Sequence, residues 1–193
     1  MEYIKNNSYE DYVDEQTKLN KAKLHVVWVL KSNIVDIKSY CDKHKINVQN
    51  VICHGTRNGR ELYYFNDVFP NVGVLGTEIS DTATQFPNTI QWDFHDLKDE
   101  WINQFDIVYT NSWDHSYDLE KALESWMKTL SDNGRLFLDW NEDTLKPTNK
   151  ADCCGCSLEE LHEVINKKYI VEDTFKIENQ HKKEAYMVVV KNK

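Results

Sequence analysis

The run Val51-Ile52-Cys53-His54-Gly55-Thr56-Arg57-Asn58-Gly59-Arg60-Glu61 joins a short apolar strand to the start of a helix through two glycines. Beyond it, Glu61, Leu62, Tyr63, Phe65, Val68 and Phe69 carry a helical pattern. A strand that breaks at a glycine and resumes as a helix makes a tight turn where a ligand can come close to the backbone. The spacing is Gly-x-x-x-Gly. It is not the Gly-x-Gly-x-x-Gly that cradles a dinucleotide pyrophosphate.

Further along, short apolar runs alternate with helical ones. Asn71–Gly76 reads as a strand ending at Thr77-Glu78, Asn88–Trp92 as one ending at Asp93, and Phe105–Tyr109 as one ending at Thr110-Asn111. Leu119, Leu123, Trp126, Met127 and Leu130 share one face of an amphipathic helix. Asn133-Gly134 turns the chain into Arg135–Asp139, and Ser157-x-x-Glu160 caps a helix over 158–165. Strands alternating with helices predict a mostly parallel α/β sheet with helices on both faces. Tyr169–Ile177 and Glu184–Val190 differ: six polar residues connect them, so they form an antiparallel C-terminal hairpin. In such sheets ligands bind beyond the carboxyl ends of the strands, near the reversal of strand order. Glycine turn, Glu78 and Asp93 on three consecutive strands suit an adenosine-type ligand.

Upstream, Ser8 caps a polar helix reaching Lys23, and a second helix starts after Ser32. Leu24–Leu30 between them reads equally as strand or buried helix. At 193 residues the chain is expected to be a single domain, 1–193, with 1–47 as an N-terminal helical extension or lid and 48–193 as the cofactor-binding core. Hydrophobic residues at 40% and charged residues at 28% are globular values and exclude disorder. Lys+Arg at 23 against Asp+Glu at 32 gives a net charge of −9, which makes nucleic acid an unlikely partner. No apolar run nears the roughly 18–20 residues of a membrane span. The odd count of five cysteines and the lack of a signal layout lead us to expect a cytoplasmic protein. No residue pattern sets an oligomeric state.

The runs Val51–Gly59, Gly76-Thr77-Glu78-Ile79-Ser80, Trp92-Asp93-Phe94-His95 and Phe105–Ser112 together resemble the class I S-adenosylmethionine-dependent methyltransferases. Leu130–Leu138 is similar to that family's approach to its fifth strand, and the likeness covers about residues 48–191. The C-terminal hairpin separates this family from nicotinamide dehydrogenases. The resemblance implies a Rossmann-like methyltransferase fold and S-adenosylmethionine as cofactor. It implies that Gly55 and Gly59 lie under the methionine part, that Glu78, with Ile79 beside it, holds the ribose, that Asp93 and Phe94 hold the adenine, and that Asn111 lies near the methyl-donor end.

Two departures stand out. Cys53 replaces the usual acid and Arg57 the middle glycine, giving the variant Gly-x-Arg-x-Gly-x-Glu that ends in Glu61. Arg57 either pairs with the cofactor carboxylate or forms a structural salt bridge with Glu61; a blocking Arg57 would leave a fold without activity. The expected function is therefore methyl transfer to oxygen or nitrogen of a small-molecule acceptor, and the alternative is an inactive cofactor- or nucleotide-binding module.

Candidate catalytic residues follow the fourth strand of that pattern, in Asn111-Ser112-Trp113-Asp114-His115-Ser116. His115 is placed to take a proton from a hydroxyl or amine; otherwise Asp114 caps the next helix and His115 is a polar neighbour. Asp114, Asp139 and Asn141 offer hard oxygen ligands for a divalent metal, but a solvated turn is the favoured reading and no metal is expected. Cys153-Cys154-Gly155-Cys156 is too cramped for a zinc site and reads as thiols in a substrate-side loop. Tyr9, Tyr12, Gln16, Trp28, Trp113 and Trp140 are candidates for a lid and acceptor pocket, or ordinary packing.

Overall fold

The computed structural model describes residues 1–193. In chain order the elements are β1 (Glu2–Tyr3), α1 (Tyr9–Ala22), α2 (Lys31–His44), β2 (Asn50–His54), α3 (Arg60–Val68), β3 (Gly73–Glu78), β4 (Thr89–Gln91), β5 (Phe105–Thr110), α4 (Leu119–Thr129), β6 (Leu130–Asn141), β7 (Cys154–Gly155), α5 (Leu158–Asn166), β8 (Ile170–Lys176) and β9 (Ala185–Lys191). Seven of the strands form one sheet in the order β4-β3-β2-β5-β6-β9-β8. The first five pair in parallel, while β9 runs antiparallel to both β6 and β8. The predicted α/β fold with its antiparallel hairpin is the one observed.

Period-two alternation sorts the strand side chains onto two faces. Ile52, Val108, Leu136, Leu138, Val188 and Val190 meet the apolar stripes of α4 and α5, including Leu123, Trp126, Leu161 and Ile165. Val51, Cys53, Ile107, Tyr109, Phe137 and Val189 meet Ile34, Ile37 and Tyr40 of α2 and Leu62 and Phe65 of α3. Caps fix the helix starts. Ser8 Oγ accepts from the Asp11 N–H at 3.1 Å, and Ser157 and Glu160 make the capping box read from their spacing.

Two local expectations are corrected. The segment 24–30 is neither strand nor helix: its carbonyls at Leu24 and Val26 accept from Asn58 Nδ2 (2.9 and 3.0 Å) and that at Val27 from Gln180 Nε2 (2.6 Å). Side chains from distant loops satisfy this backbone, so it needs no regular partner. Accordingly α2 begins at Lys31, with Leu30 and not Ser32 at its cap. No helix is long and apolar enough to cross a membrane.

The sheet positions the site. From β2 the chain steps outward through β3 and β4, then crosses back to lay β5 on the other side of β2. The carboxyl ends of β2 and β5 therefore diverge at a topological switch point. Gly55 follows one of these ends and Ser112 lies just past the other.

Candidate active site

Gly55, Arg57 and Gly59 take left-handed backbone angles at alternate positions, with φ of 73°, 44° and 67°. A Cβ at Gly55 would lie 2.6 Å from Ser112 Cβ, so only glycine fits against the start of the loop after β5. Ser112 Oγ donates to the Gly55 carbonyl at 3.1 Å and closes that contact. Gly59 turns the chain into α3 as its N-cap. Arg57 adopts the same conformation at a cost of about 1 kcal/mol. Its backbone N–H thereby donates to Glu78 Oε2 at 2.8 Å, while Glu78 Oε1 accepts from the Ser80 N–H at 3.1 Å.

Beneath this turn the surface opens into two lobes. The smaller is lined by Tyr12, Gln16, Glu78, Ile79, Asp93 and Phe94. The larger includes Glu61, Asn111, Asp114 and Asp139 in its walls. Lys23, Gly55, Arg57, Ser112, His115 and Asp152 border both lobes and form the neck between them. The structure thus gathers the predicted residues around one cleft; Gly59 shapes its turn without lining it. Glu78 is only 7% exposed, and it lines this cleft.

Arg57 makes no ion pair, so the salt bridge to Glu61 weighed from the sequence is not formed. Burial lowers the Arg57 pKa, against the opposing pull of Glu78, Glu61, Asp152 and Asp114. Glu61 is buried and its Oε2 has no hydrogen-bond partner. Burial pushes this carboxyl up to about 7, and the Glu78 charge adds to the shift while Arg57 and Asn111 reduce it.

Asp93 is tied on every side. Its Oδ2 accepts from the Tyr9 hydroxyl at 2.9 Å, and its Oδ1 from the His95 N–H at 2.9 Å and the ring Nδ1 at 2.7 Å. His95 Nε2 lies 2.7 Å from Ser116 Oγ, which itself accepts from the Asp118 N–H at 3.3 Å. Burial pushes the Asp93 pKa up, but the His95 bonds outweigh it and the net shift is downward.

His115 sits in the short turn Trp113–His115. Gln16 Nε2 donates to the carbonyls of Ala151 (2.8 Å) and His115 (3.5 Å), so its Oε1 is left to accept from His115 Nδ1 at 3.1 Å. That orients the ring and turns Nε2 toward Asp152 Oδ1 at 3.4 Å and Asp114 Oδ1 at 4.0 Å. Burial raises the Asp114 pKa, His115 opposes the shift and Asp152 reinforces it. Asp114 does not cap the next helix; Asp118 does, accepting from the Lys121 N–H at 3.0 Å.

Ligand atoms of Asp114, His115 and Asp152 all lie within 4.8 Å of one another, a set able to hold a metal ion. Of the oxygen ligands weighed from the sequence, Asn141 is occupied with capping the turn 142–144. Asp152 escaped the sequence reading because it lies in an irregular loop with no motif around it.

Burial decides the remaining readings, against the substrate-side thiols and for ordinary packing of two tryptophans. Cys153, Cys154 and Cys156 line neither lobe; all are buried, and desolvation pushes each thiol up to about 12. Trp113 and Trp140 are core residues whose indoles donate to the carbonyls of Asp139 (2.9 Å) and Cys156 (3.0 Å). Trp28 remains at the mouth of the larger lobe, 44% exposed.

No family model and no curated protein matches the chain. Solved structures do. The Burkholderia thailandensis 1,6-didemethyltoxoflavin-N1-methyltransferase, with bound 1,6-didemethyltoxoflavin and S-adenosylhomocysteine, aligns with a TM-score of 0.75 and 14% identity, over 98% of this chain and 92% of that one. An S-adenosylmethionine-dependent methyltransferase of Clostridium acetobutylicum aligns at 0.64 and 13% identity, over 96% and 99%. A TehB-like methyltransferase of Corynebacterium glutamicum aligns at 0.58 and 15%, over 96% and 100%. The chain has the class I S-adenosylmethionine-dependent methyltransferase fold. Identities this low carry the fold alone. Within that methyltransferase fold, α1 is the element that roofs the smaller lobe, through Tyr12 and Gln16.

Proposed function

We propose that the protein binds S-adenosylmethionine and transfers its methyl group to oxygen or nitrogen of a small-molecule acceptor. The observation that carries this reading is the buried carboxylate of Glu78, which lines the cleft beside the left-handed turn at Gly55. Two further features suit the cofactor. The cradle at Gly55 has no space for a Cβ, and Glu61 holds an unpartnered buried oxygen of the kind an ammonium satisfies. Bound there, the cofactor supplies an electrophilic methyl on a positively charged sulfur.

On this reading Glu78 accepts from the ribose hydroxyls with the lone pairs its backbone donors leave free. Ile79, Phe94 and Asp93 flank the adenine, Gly55 and Gly59 shape the loop under the methionine part, Arg57 meets its carboxylate and Glu61 its ammonium. Asn111 stands near the methyl end. His115, oriented by Gln16, takes the acceptor's proton on Nε2, with Asp114 beside it. The α1 roof keeps water out and leaves positioning as the main source of rate. The test is calorimetry with S-adenosylmethionine and S-adenosylhomocysteine: micromolar binding of both is expected, and binding of neither overturns the proposal.

A further inference from the structure

Asp139 differs from the other carboxylates buried in the cleft, of which Asp93 is bonded to Tyr9 and His95. Glu61, Glu78, Asp114 and Asp152 all feel the Arg57 guanidinium, His115 adds its ring to Asp114 and Asp152, and Asp143 at the rim is paired with Lys183. Asp139 lies near the carboxyl end of β6, 8% exposed, in the wall of the larger lobe. No cation acts on it; Asp114 repels it, and only the Asn33 amide eases its charge. Its carboxylate makes no ion pair, and Asn33, 2% exposed in the same wall, has an Oδ1 without a partner. A buried acceptor such as Asn33 Oδ1 is costly unless something donates to it.

We infer that Asp139 and Asn33 form the recognition site for a protonated aliphatic amine, and that such an amine is the acceptor class of this protein. The inference rests on the proposed methyl transfer and deepens it. An ammonium brings one positive charge and three N–H donors, which suits one uncompensated carboxylate and one neighbouring amide oxygen. To act as acceptor the nitrogen sheds one proton: an N–H bond breaks, the proton goes to Nε2 of His115, and the electron pair stays on nitrogen.

The experiment is calorimetry on the full chain saturated with S-adenosylhomocysteine. Butylamine, putrescine and ethanolamine are each compared with the alcohol of matching shape, and catechol with Mg²⁺ forms a further arm. At least one amine is expected to bind while its alcohol does not. Asp139→Asn, which keeps the shape, is expected to weaken that amine about tenfold or more and to leave S-adenosylhomocysteine affinity unchanged, which also shows that the variant is folded. Three results would overturn the inference: no amine binds while S-adenosylhomocysteine does, catechol with Mg²⁺ binds in place of the amines, or Asp139→Asn binds amine as the parent does. Loss of S-adenosylhomocysteine binding by the parent protein would instead remove the methyltransferase reading beneath it.

Discussion

The backbone N–H of Arg57 donates to Glu78 Oε2 at 2.8 Å, so the acid at the end of β3 holds in place the turn that follows β2. One carboxylate thus serves two purposes: it anchors the left-handed loop and faces the smaller lobe. Glu78→Ala removes both and is expected to weaken S-adenosylhomocysteine binding by about 1–3 kcal/mol, the scale of lost hydrogen bonds to a charged group. Calorimetry checks this, and an unchanged affinity would take Glu78 out of the site.

Gly55→Ala sets a methyl group 2.6 Å from Ser112 Cβ and 2.8 Å from its Oγ. A drop in stability of about 1–3 kcal/mol is expected from the overpacking, with loss of cofactor binding. Adding Ser112→Gly deletes both clashing atoms and should restore part of the melting temperature. The remaining deficit reports the left-handed φ together with the lost Ser112 hydrogen bond to the Gly55 carbonyl.

Stability should depend on pH through buried acids. Asp139 and Glu61 hold their protons up to about 7 in the folded chain, against ordinary values of 3.8 and 4.5. Between those limits the folded state carries protons that the unfolded state lacks, so stability falls as pH rises across that window. The ligand-free protein is expected to melt at a higher temperature near about pH 5.5 than near about pH 8. Asp139→Asn should flatten that slope. At the acid extreme Glu172, held down to about 2 by its hydrogen bond to Arg135, works in the opposite sense, and its contribution fades as pH drops from 4.5 toward that value.

All five cysteines are free and buried. Thiolate character is needed for reaction with a disulfide reagent, so the native protein should titrate slowly with Ellman's reagent and release five equivalents only on unfolding. A thiol that reacts at once in the native state would mean that the loop carrying Cys153 opens.

The fold was legible because strand and helix periods are local properties. The alternation at Ile52, Val108 and Leu136 and the stripe on α4 each depend on a few neighbouring residues. The cleft could be read for a related reason: in a parallel sheet, strand ends converge on one edge, so Glu78 and Asp93 had to lie near Gly55. What could not be read was long-range. Asp152 and Asn33 reach the cleft from irregular or peripheral segments, and only three-dimensional packing brings them there. The segment 24–30 misled because side chains of Asn58 and Gln180 supply its hydrogen bonds, a relation with no periodic trace.

Tyr12 donates its hydroxyl to the His115 carbonyl at 3.0 Å, and Gln16, one turn further along α1, grips the ring of the same histidine. A swing of this helix wide enough to let a spent nucleoside escape must therefore also unseat the imidazole. On the proposed reading, opening of the roof and loss of the imidazole's orientation are therefore a single event.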